Sequence, residues 1–260
     1  MALDFAVIAY VTSVSIERPR NALLREFARI SPDACARFLQ AVEPMALERG
    51  LVLSANRART EFVYFVETGI VSLIAATRNG YSLEVAIVGP EGAAGISDAL
   101  GQHPLPYGWM VQVPGLAYRV PTRIIRDHLL SCTDFHQLLM AYSQLVMHQL
   151  AQSAVCNRFH TSVQRLSRWL LLTAERAETN TFALTHEFIA QMVGAPRSAV
   201  TEAAATLRGR NIIDYRRGVL TIRNKKRLHR VACECFDAVS IAHFQAAARQ
   251  VRAPEPVSGL

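Results

Sequence analysis

Apolar positions early in the chain recur at helical spacing. Leu23, Leu24 and Phe27, then Cys35, Phe38 and Leu39, lie on one side of a helical turn within residues 21–50. Ser31-Pro32-Asp33 between the two groups reads as a helix stop and a new N-cap with Pro at the first helical position. From Leu51 to Val120 the period shortens. β-rich runs occur at Phe62–Val66, Ile70–Ala76, Ser82–Val88, Trp109–Val113 and Leu116–Val120. Turn signals separate them at Thr68-Gly69, Asn79-Gly80, Gly89-Pro90 and Pro114-Gly115. Asn79-Gly80 is the strongest, because both residues tolerate the positive φ of a type I′ turn. Leu83, Val85 and Ile87 alternate with Ser82, Glu84 and Ala86, the period of a half-buried strand. Short strands with frequent turns predict an antiparallel sandwich or barrel.

From about Arg123 to Arg176 the pattern is helical, with no Gly or Pro. Phe135, Leu138, Leu139, Tyr142, Leu145, Val146 and Leu150 form a broad apolar stripe, interrupted by Gln144, His148 and Gln152. A helix this long cannot bury its whole stripe on the preceding β domain. Pairing with the same helix of a second chain is the economical solution, and packing on its own β domain is the alternative. The expected interface is Phe135, Leu138, Leu139, Tyr142, Leu145, Val146 and Gln149. Residues 177–184 are short and polar, with a break at Thr179-Asn180-Thr181. Two short helical segments and a hairpin follow.

The first of those segments opens at Thr185, whose hydroxyl can cap it. Ile189, Met192 and Val193 give it one apolar face, and Gly194 ends it. After Ala195-Pro196, the residues Val200, Ala203, Ala204 and Leu207 line the inner face of a second helix. Ala190, Gly194 and Val200 have the small–Gly–apolar spacing of a helix-turn-helix. Left outside are Arg197, Ser198, Thr201, Glu202 and Arg208. At the N-terminal end, which should face the major groove, Arg can read guanine and Glu can accept from cytosine N4. Residues 212–222 read as a β-hairpin with Arg217-Gly218 near its tip. Arg216, Arg217, Arg223, Lys225, Lys226 and Arg227 can reach flanking phosphates.

Charge sharpens this picture. The net charge is +7, but residues 155–230 hold 14 basic and 5 acidic residues. Residues 1–154 hold 12 against 13, and residues 231–260 hold 2 against 3. A basic segment beside a neutral one implies a polyanionic partner, or else a merely solvated face. At 260 residues and 51% hydrophobic content the chain is long enough to bury a core without staples. Five cysteines are too few and too odd for a disulfide framework, which suggests a reducing compartment. The longest apolar candidate, Phe62 to Ala76, is short for a membrane span and carries Glu67. The apolar N-terminus has Asp4 where a signal peptide wants Lys or Arg. No export and no membrane partner are expected, and the expected location is cytoplasmic.

With these residues in place, 185–235 resembles the winged helix-turn-helix of the Crp/Fnr family of bacterial transcription regulators. Further runs resemble one branch of it: Val63-Tyr64-Phe65, residues 68–73 and 88–92, Cys156-Asn157-Arg158 with residues 164–171, and Ala232-Cys233-Glu234-Cys235-Phe236. The resemblance spans roughly residues 21–236. It implies an α+β chain: an antiparallel, cyclic-nucleotide-binding-like β-roll, a long dimerisation helix and a C-terminal winged helix-turn-helix. The expected division is a tail at 1–20, a sensor at 21–126, the dimerisation helix at 127–160, the DNA-binding domain at 161–236 and an extension at 237–260. The implied function is a non-enzymatic, sequence-specific regulator that binds double-stranded DNA as a homodimer, with RNA polymerase a further partner if it activates. Base reading falls to Arg197, Ser198, Thr201 and Glu202. Backbone contact falls to Thr185, Arg208, Arg216, Arg217, Lys225 and Lys226. The best-known members start the recognition helix with Arg-Glu-x-x-x-Arg; here Ser198 and Glu202 replace the Glu and the second Arg, so the half-site should differ.

The resemblance also bears on effectors. Members that bind cyclic AMP place an Arg on its phosphate, whereas this chain has no Lys or Arg between Arg78 and Arg119. The matching region leaves Glu91, Gly92 and Tyr107 as an effector pocket, with the effector open and cyclic AMP not expected. Iron–sulfur members carry clustered N-terminal cysteines, and here only Cys35 is near. A haem ligand is not marked among the histidines; His103, His128, His136, His148 and His160 read as surface or packing residues. Cys233 and Cys235, with His229, could supply metal or redox thiols. At i, i+2 on a helix they would face apart, and no fourth ligand is evident, so packing is the expectation and no cofactor is assigned. Two rivals remain. One is a ligand-binding signalling module whose C-terminal domain contacts a protein. The other is an enzyme, which the lack of a Walker loop, GxGxxG, HExxH or GxSxG disfavours.

Overall fold

The computed structural model describes residues 19–101 and 106–242. The expected tail and C-terminal extension lie largely outside these, as does His103. Two helices, α1 (Ala22–Ile30) and α2 (Pro32–Leu39), open the described chain. The Asn21 side chain caps α1 by accepting from Leu24 N–H at 3.1 Å. It also donates to the carbonyls of Val66 and Gly92, which ties the helix to the sheet. Ser31 separates the helices as the sequence predicts, but its hydroxyl donates to Asp134 instead of capping α2.

The helical reading of 21–50 ends early, because the chain becomes strand β1 (Glu43–Leu47). Strands β2 (Val52–Ser54), β3 (Phe62–Ala76), β4 (Ser82–Val88), β5 (Ala93–Ala94) and β6 (Tyr107–Pro121) complete an antiparallel roll. The order is β1-β6-β3-β4, with β2 on β6 and β5 on β3. A short helix, α3 (Ile96–Leu100), follows β5.

Two expected turns are not turns. Thr68-Gly69 and Pro114-Gly115 lie within the two 15-residue strands and face each other where the pairing register shifts. A Cβ on Gly115 would lie 2.1 Å from the Thr68 carbonyl oxygen, and one on Gly69 2.6 Å from that of Val113. The glycines let both strands bend together at a bulge. Asn79-Gly80 does turn the chain, but within a loop spanning 77–81 in which only Gly80 has positive φ. The pattern is therefore not type I′. Glu67, the charge inside the apolar run, is buried and accepts the backbone N–H groups of Arg20 and Asn21.

The helical stretch read from 123 to 176 is three helices: α4 (Thr122–Ser131), α5 (Thr133–Phe159) and α6 (Ser162–Arg176), of which α5 corresponds to the helix expected at 127–160. Cys132 and His160 take extended backbone conformations at the breaks. The second break has a positive cause: Thr161 and Gln164 form a reciprocal capping box that starts α6. The boundary expected at 126/127 falls inside α4.

The stripe on α5 turns inward. Phe135, Leu138, Leu139 and Tyr142 are buried in one cluster with Leu24, Phe27, Phe38 and Val120, and Leu145 and Val146 pack against it. Gln149 is buried as well, accepting from Ile87 N–H and donating to Ile87 O. The residues expected at a dimer interface therefore hold α5 to its own roll. The reason is that α1 and α2 enlarge the sheet's apolar face enough to cover the stripe.

The C-terminal unit contains β7 (Thr181–Ala183), α7 (His186–Val193), α8 (Arg197–Gly209), β8 (Ile213–Arg216), β9 (Val219–Ile222), α9 (Lys225–Val231) and α10 (Cys235–Ala238). Its core joins α6 to the hairpin through Leu166, Leu170, Val200, Leu207, Ile213 and Leu220. The expected hairpin gains a third strand, in the order β7-β9-β8.

Candidate nucleic-acid interface

The Thr185 hydroxyl accepts from Phe188 N–H at 3.1 Å and starts α7. Gly194 ends it at φ 59°, ψ 44°. A side chain there would meet two penalties. The left-handed conformation is strained for L residues, and a Cβ would lie 2.3 Å from Leu83 Cδ1 on β4. Arg165 on α6 donates to the carbonyls of Val193 and Gly194, so a cation satisfies the helix C-terminus.

Helix α8 then buries Val200, Ala203, Ala204 and Leu207, the expected inner face. Arg197, Ser198, Thr201 and Glu202 are exposed on its first turns. The Arg197 guanidinium is 3.9 Å from Glu187, with both side chains more than 70% exposed. A pair so solvated is worth little and leaves Arg197 available to another anion.

Sequence reading missed the brace behind this face. The Thr201 hydroxyl lies 3.0 Å from His186 Nδ1. The His186 ring stacks on Tyr215 at 4.5 Å, and the Tyr215 hydroxyl donates to Leu184 O at 2.8 Å. Burial and the charge of Arg197 hold the His186 pKa below its ordinary value. A neutral imidazole thus couples α7, α8 and the wing. No local signal in the sequence marks it, since the three residues lie on three elements.

The wing tip is tighter than the sequence alone required. Arg216 pairs with Val219, and the two residues between, Arg217 and Gly218, have φ of 50° and 77°. That is the positive-φ pair of a type I′ turn. Arg208, Arg216 and Arg223 line one groove with Asp214 between them. Asp214 is 3.4 Å from Arg216 and 3.1 Å from Arg223. The hydrogen bond from Arg223 holds the Asp214 carboxyl below the usual range. Lys225 and Lys226 are exposed at the start of α9.

The reading unit is docked on the roll. Gln191 donates to the Ser82 hydroxyl at 2.8 Å, and the Arg49 guanidinium lies 5.3 Å from the Phe188 ring centre. Deeper in, Glu84 on β4 accepts from Trp169 Nε1 at 2.9 Å and from the Ser72 hydroxyl at 2.6 Å. Burial pushes the Glu84 pKa up to about 7, against the two hydrogen bonds and the charges of Arg168 and Arg176. The folded state therefore holds a proton that the unfolded chain has released between about pH 4.5 and 7. Stability should fall as pH rises through that window, with a slope of the order of 1 kcal/mol per pH unit, and be constant from this source below it. Glu84→Gln should flatten that part of the profile. Denaturant unfolding of both proteins from pH 4 to 8 checks it, and parallel profiles would dismiss the role.

The expected effector residues are engaged elsewhere. Glu91 is buried and meets Arg176 Nε at 2.7 Å. Gly92 faces the Tyr142 ring, with a would-be Cβ 2.3 Å from the hydroxyl. The Tyr142 hydroxyl bridges Ala93 N and O, both at 3.1 Å. Neither Glu91 nor Gly92 is open to a ligand here, because α5 and α6 fill the space in front of them. Tyr107 is partly buried at the start of β6.

A second constellation corrects the reading of Cys233 and Cys235. The two are not on one helix: α9 ends at Val231, Ala232 is extended, and Cys235 begins α10. The bend turns both sulfurs inward onto Cys156 and His160 at the end of α5. His229 takes no part, as its Nε2 meets Asp237 at 3.0 Å. Four ligating groups therefore converge where the sequence showed two.

Comparisons with known proteins fall into line with this geometry. Residues 164–231 match the Crp-like helix-turn-helix domain family. No curated protein matches the chain. Among solved structures, FixK2 from Bradyrhizobium japonicum is similar at a TM-score of 0.63 and 17% identity, over 74% of this chain and 98% of that one. CLP of Xanthomonas campestris, described as a c-di-GMP responsive global regulator, gives 0.62 and 13% over 75% and 100%. TTHB099, a CRP family transcriptional regulator from Thermus thermophilus, gives 0.59 and 16% over 72% and 96%. Among the described residues no helix is long and apolar enough to cross a membrane. The chain therefore carries a Crp-like helix-turn-helix domain and has the fold of the Crp/Fnr transcription regulators.

Proposed function

We propose that this chain is a sequence-specific DNA-binding transcription regulator acting as a homodimer. The observation that carries the reading is the solvent-facing start of α8, where Arg197, Ser198, Thr201 and Glu202 stand clear beside a cationic wing. A helix presented this way fits the major groove, with Arg197 and Glu202 as base readers. Thr185, Arg208, Arg216, Arg217, Lys225 and Lys226 supply phosphate contacts that fix register. In this reading the sensor extends from 21 to the end of α4, α5 is the dimerisation helix and the DNA-binding domain is 161–236. RNA polymerase would be a further partner of an activator, and the role is a cytoplasmic one.

The partner face of α5 is the side opposite its own roll. Met140, Gln144, Met147, Ala151, Ala154 and Arg158 are all exposed and follow each other at alternating four- and three-residue steps. That spacing supports a two-stranded helix pairing along this face. A two-fold pair would set two recognition helices about 34 Å apart, one helical turn of DNA.

Selection of bound fragments from random duplex DNA by the purified chain tests the reading. Affinity for the selected site should fall steeply with salt, with a log–log slope near −0.9 per phosphate neutralised. A C-terminal domain built for a protein partner would select nothing. Arg197→Ala should cost about 1–3 kcal/mol on the selected site and relax one base pair. Glu202→Ala should shift the preferred sequence more than the affinity. An equal loss on all sequences would move Arg197 to a backbone role.

A further inference from the structure

We propose that Cys156, His160, Cys233 and Cys235 form a structural zinc site that clamps the C-terminal end of α5 to the segment joining α9 and α10. Their ligating atoms all lie within 4.8 Å of one another. Cys156 Sγ and Cys233 Sγ are 3.6 Å apart, and Cys235 Sγ and His160 Nδ1 are 3.5 Å apart. Zn–S and Zn–N bonds of about 2.3 and 2.0 Å place tetrahedral sulfur–sulfur and sulfur–nitrogen edges near 3.8 and 3.5 Å. These two separations are close to the edges of one tetrahedron around one ion. An iron–sulfur cluster spreads its ligands over two or more irons, so that ligands on different irons lie farther apart than the 4.8 Å that spans all four atoms here. A disulfide needs sulfurs at about 2.05 Å, well inside the observed separation.

The surroundings are those of a closed, structural site. All three cysteines are buried, and the His160 side chain is 12% exposed. The His160 nitrogen that would not bind the ion, Nε2, lies 3.3 Å from the Glu234 carboxylate. A ligating imidazole commonly has such a partner, which fixes its tautomer. Gln152 Nε2 donates to Cys235 Sγ at 2.9 Å. Binding is balanced by release of three thiol protons to solvent. The product, three thiolates and a neutral imidazole on Zn²⁺, carries one negative charge. Arg168, within electrostatic range of Cys156, offsets it.

The position gives the site its role. Cys156 lies in the last turn of α5 and His160 is the residue at the α5–α6 break. Cys233 and Cys235 lie beyond the whole helix-turn-helix unit. One ion would fix the joint between sensor helix and reading domain from both ends of that domain.

The full-length chain, purified without chelator after growth in zinc-supplemented medium, should contain one zinc per chain by elemental analysis. The metal-free chain titrated with Co²⁺ should develop tetrahedral ligand-field bands with thiolate-to-cobalt charge transfer. Cys235→Ser should abolish the one-to-one stoichiometry. Because that variant can fail to fold, Glu234→Gln serves as a second probe. Glu234 is exposed, and its loss should weaken Zn²⁺ binding about 10–100-fold in a chelator competition while leaving circular dichroism unchanged. Less than a tenth of an equivalent of zinc with no cobalt bands would overturn the proposal. So would a Cys156–Cys233 disulfide in the isolated protein, or zinc retained undiminished by Cys235→Ser.

Discussion

Arg176→Met is expected to lower the stability of the chain by about 3–5 kcal/mol, the cost of leaving a buried charge without its partner. Arg176 closes α6 and its side chain has no solvent exposure; Glu91, on the turn between β4 and β5, is 3% exposed and 2.7 Å away. The guanidinium also donates to the Val239 carbonyl at 3.2 Å. Removing it strands the Glu91 carboxylate, which still accepts from the Gly89 N–H. The double variant Arg176→Met/Glu91→Gln should regain most of the loss, because the amide still accepts from Gly89 and carries no charge. Denaturant unfolding of wild type, both single variants and the double variant gives the coupling directly. A loss under about 1 kcal/mol in Arg176→Met would show that water reaches the pair and that it does not tie the roll to the C-terminal unit.

The second large effect separates the two sides of α5. Phe135 lies 4.7 Å from the Phe27 ring centre and 5.2 Å from that of Phe38, and it is 1% exposed. Phe135→Ala should cost about 3–5 kcal/mol through lost contact and the cavity left behind. That loss should be the same at any protein concentration. Met147→Glu, at a residue 58% exposed in the single chain, should leave the chain folded and weaken self-association at least tenfold. Sedimentation and unfolding on the same samples read both. If Phe135→Ala instead released folded single chains, the aromatic side of α5 would be the subunit interface after all.

What the sequence revealed was local. The helix-turn-helix stood out because its cap, its glycine and its apolar positions fall within 23 consecutive residues, and each has a short-range physical reason. The wing was legible for the same cause. The α5 stripe was legible as a stripe only. Periodicity tells which residues want cover, not which surface supplies it, and α1 and α2 supplied it from over 90 residues upstream. The Glu91–Arg176 pair and the four-ligand cluster were invisible for a related reason, as their members are 85 and up to 79 positions apart. One hint existed. Cys156 and His160 stand four apart and so share a helix face, a half-site pattern to be weighed with Cys233 and Cys235.

Leu83 fills the notch that Gly194 leaves open, so strand β4 touches the elbow of the reading head without an intermediary. The two domains thus mesh like a pawl and a tooth. Any rearrangement that slid β4 along its neighbours would have to move Leu83 out of the notch or carry the elbow with it.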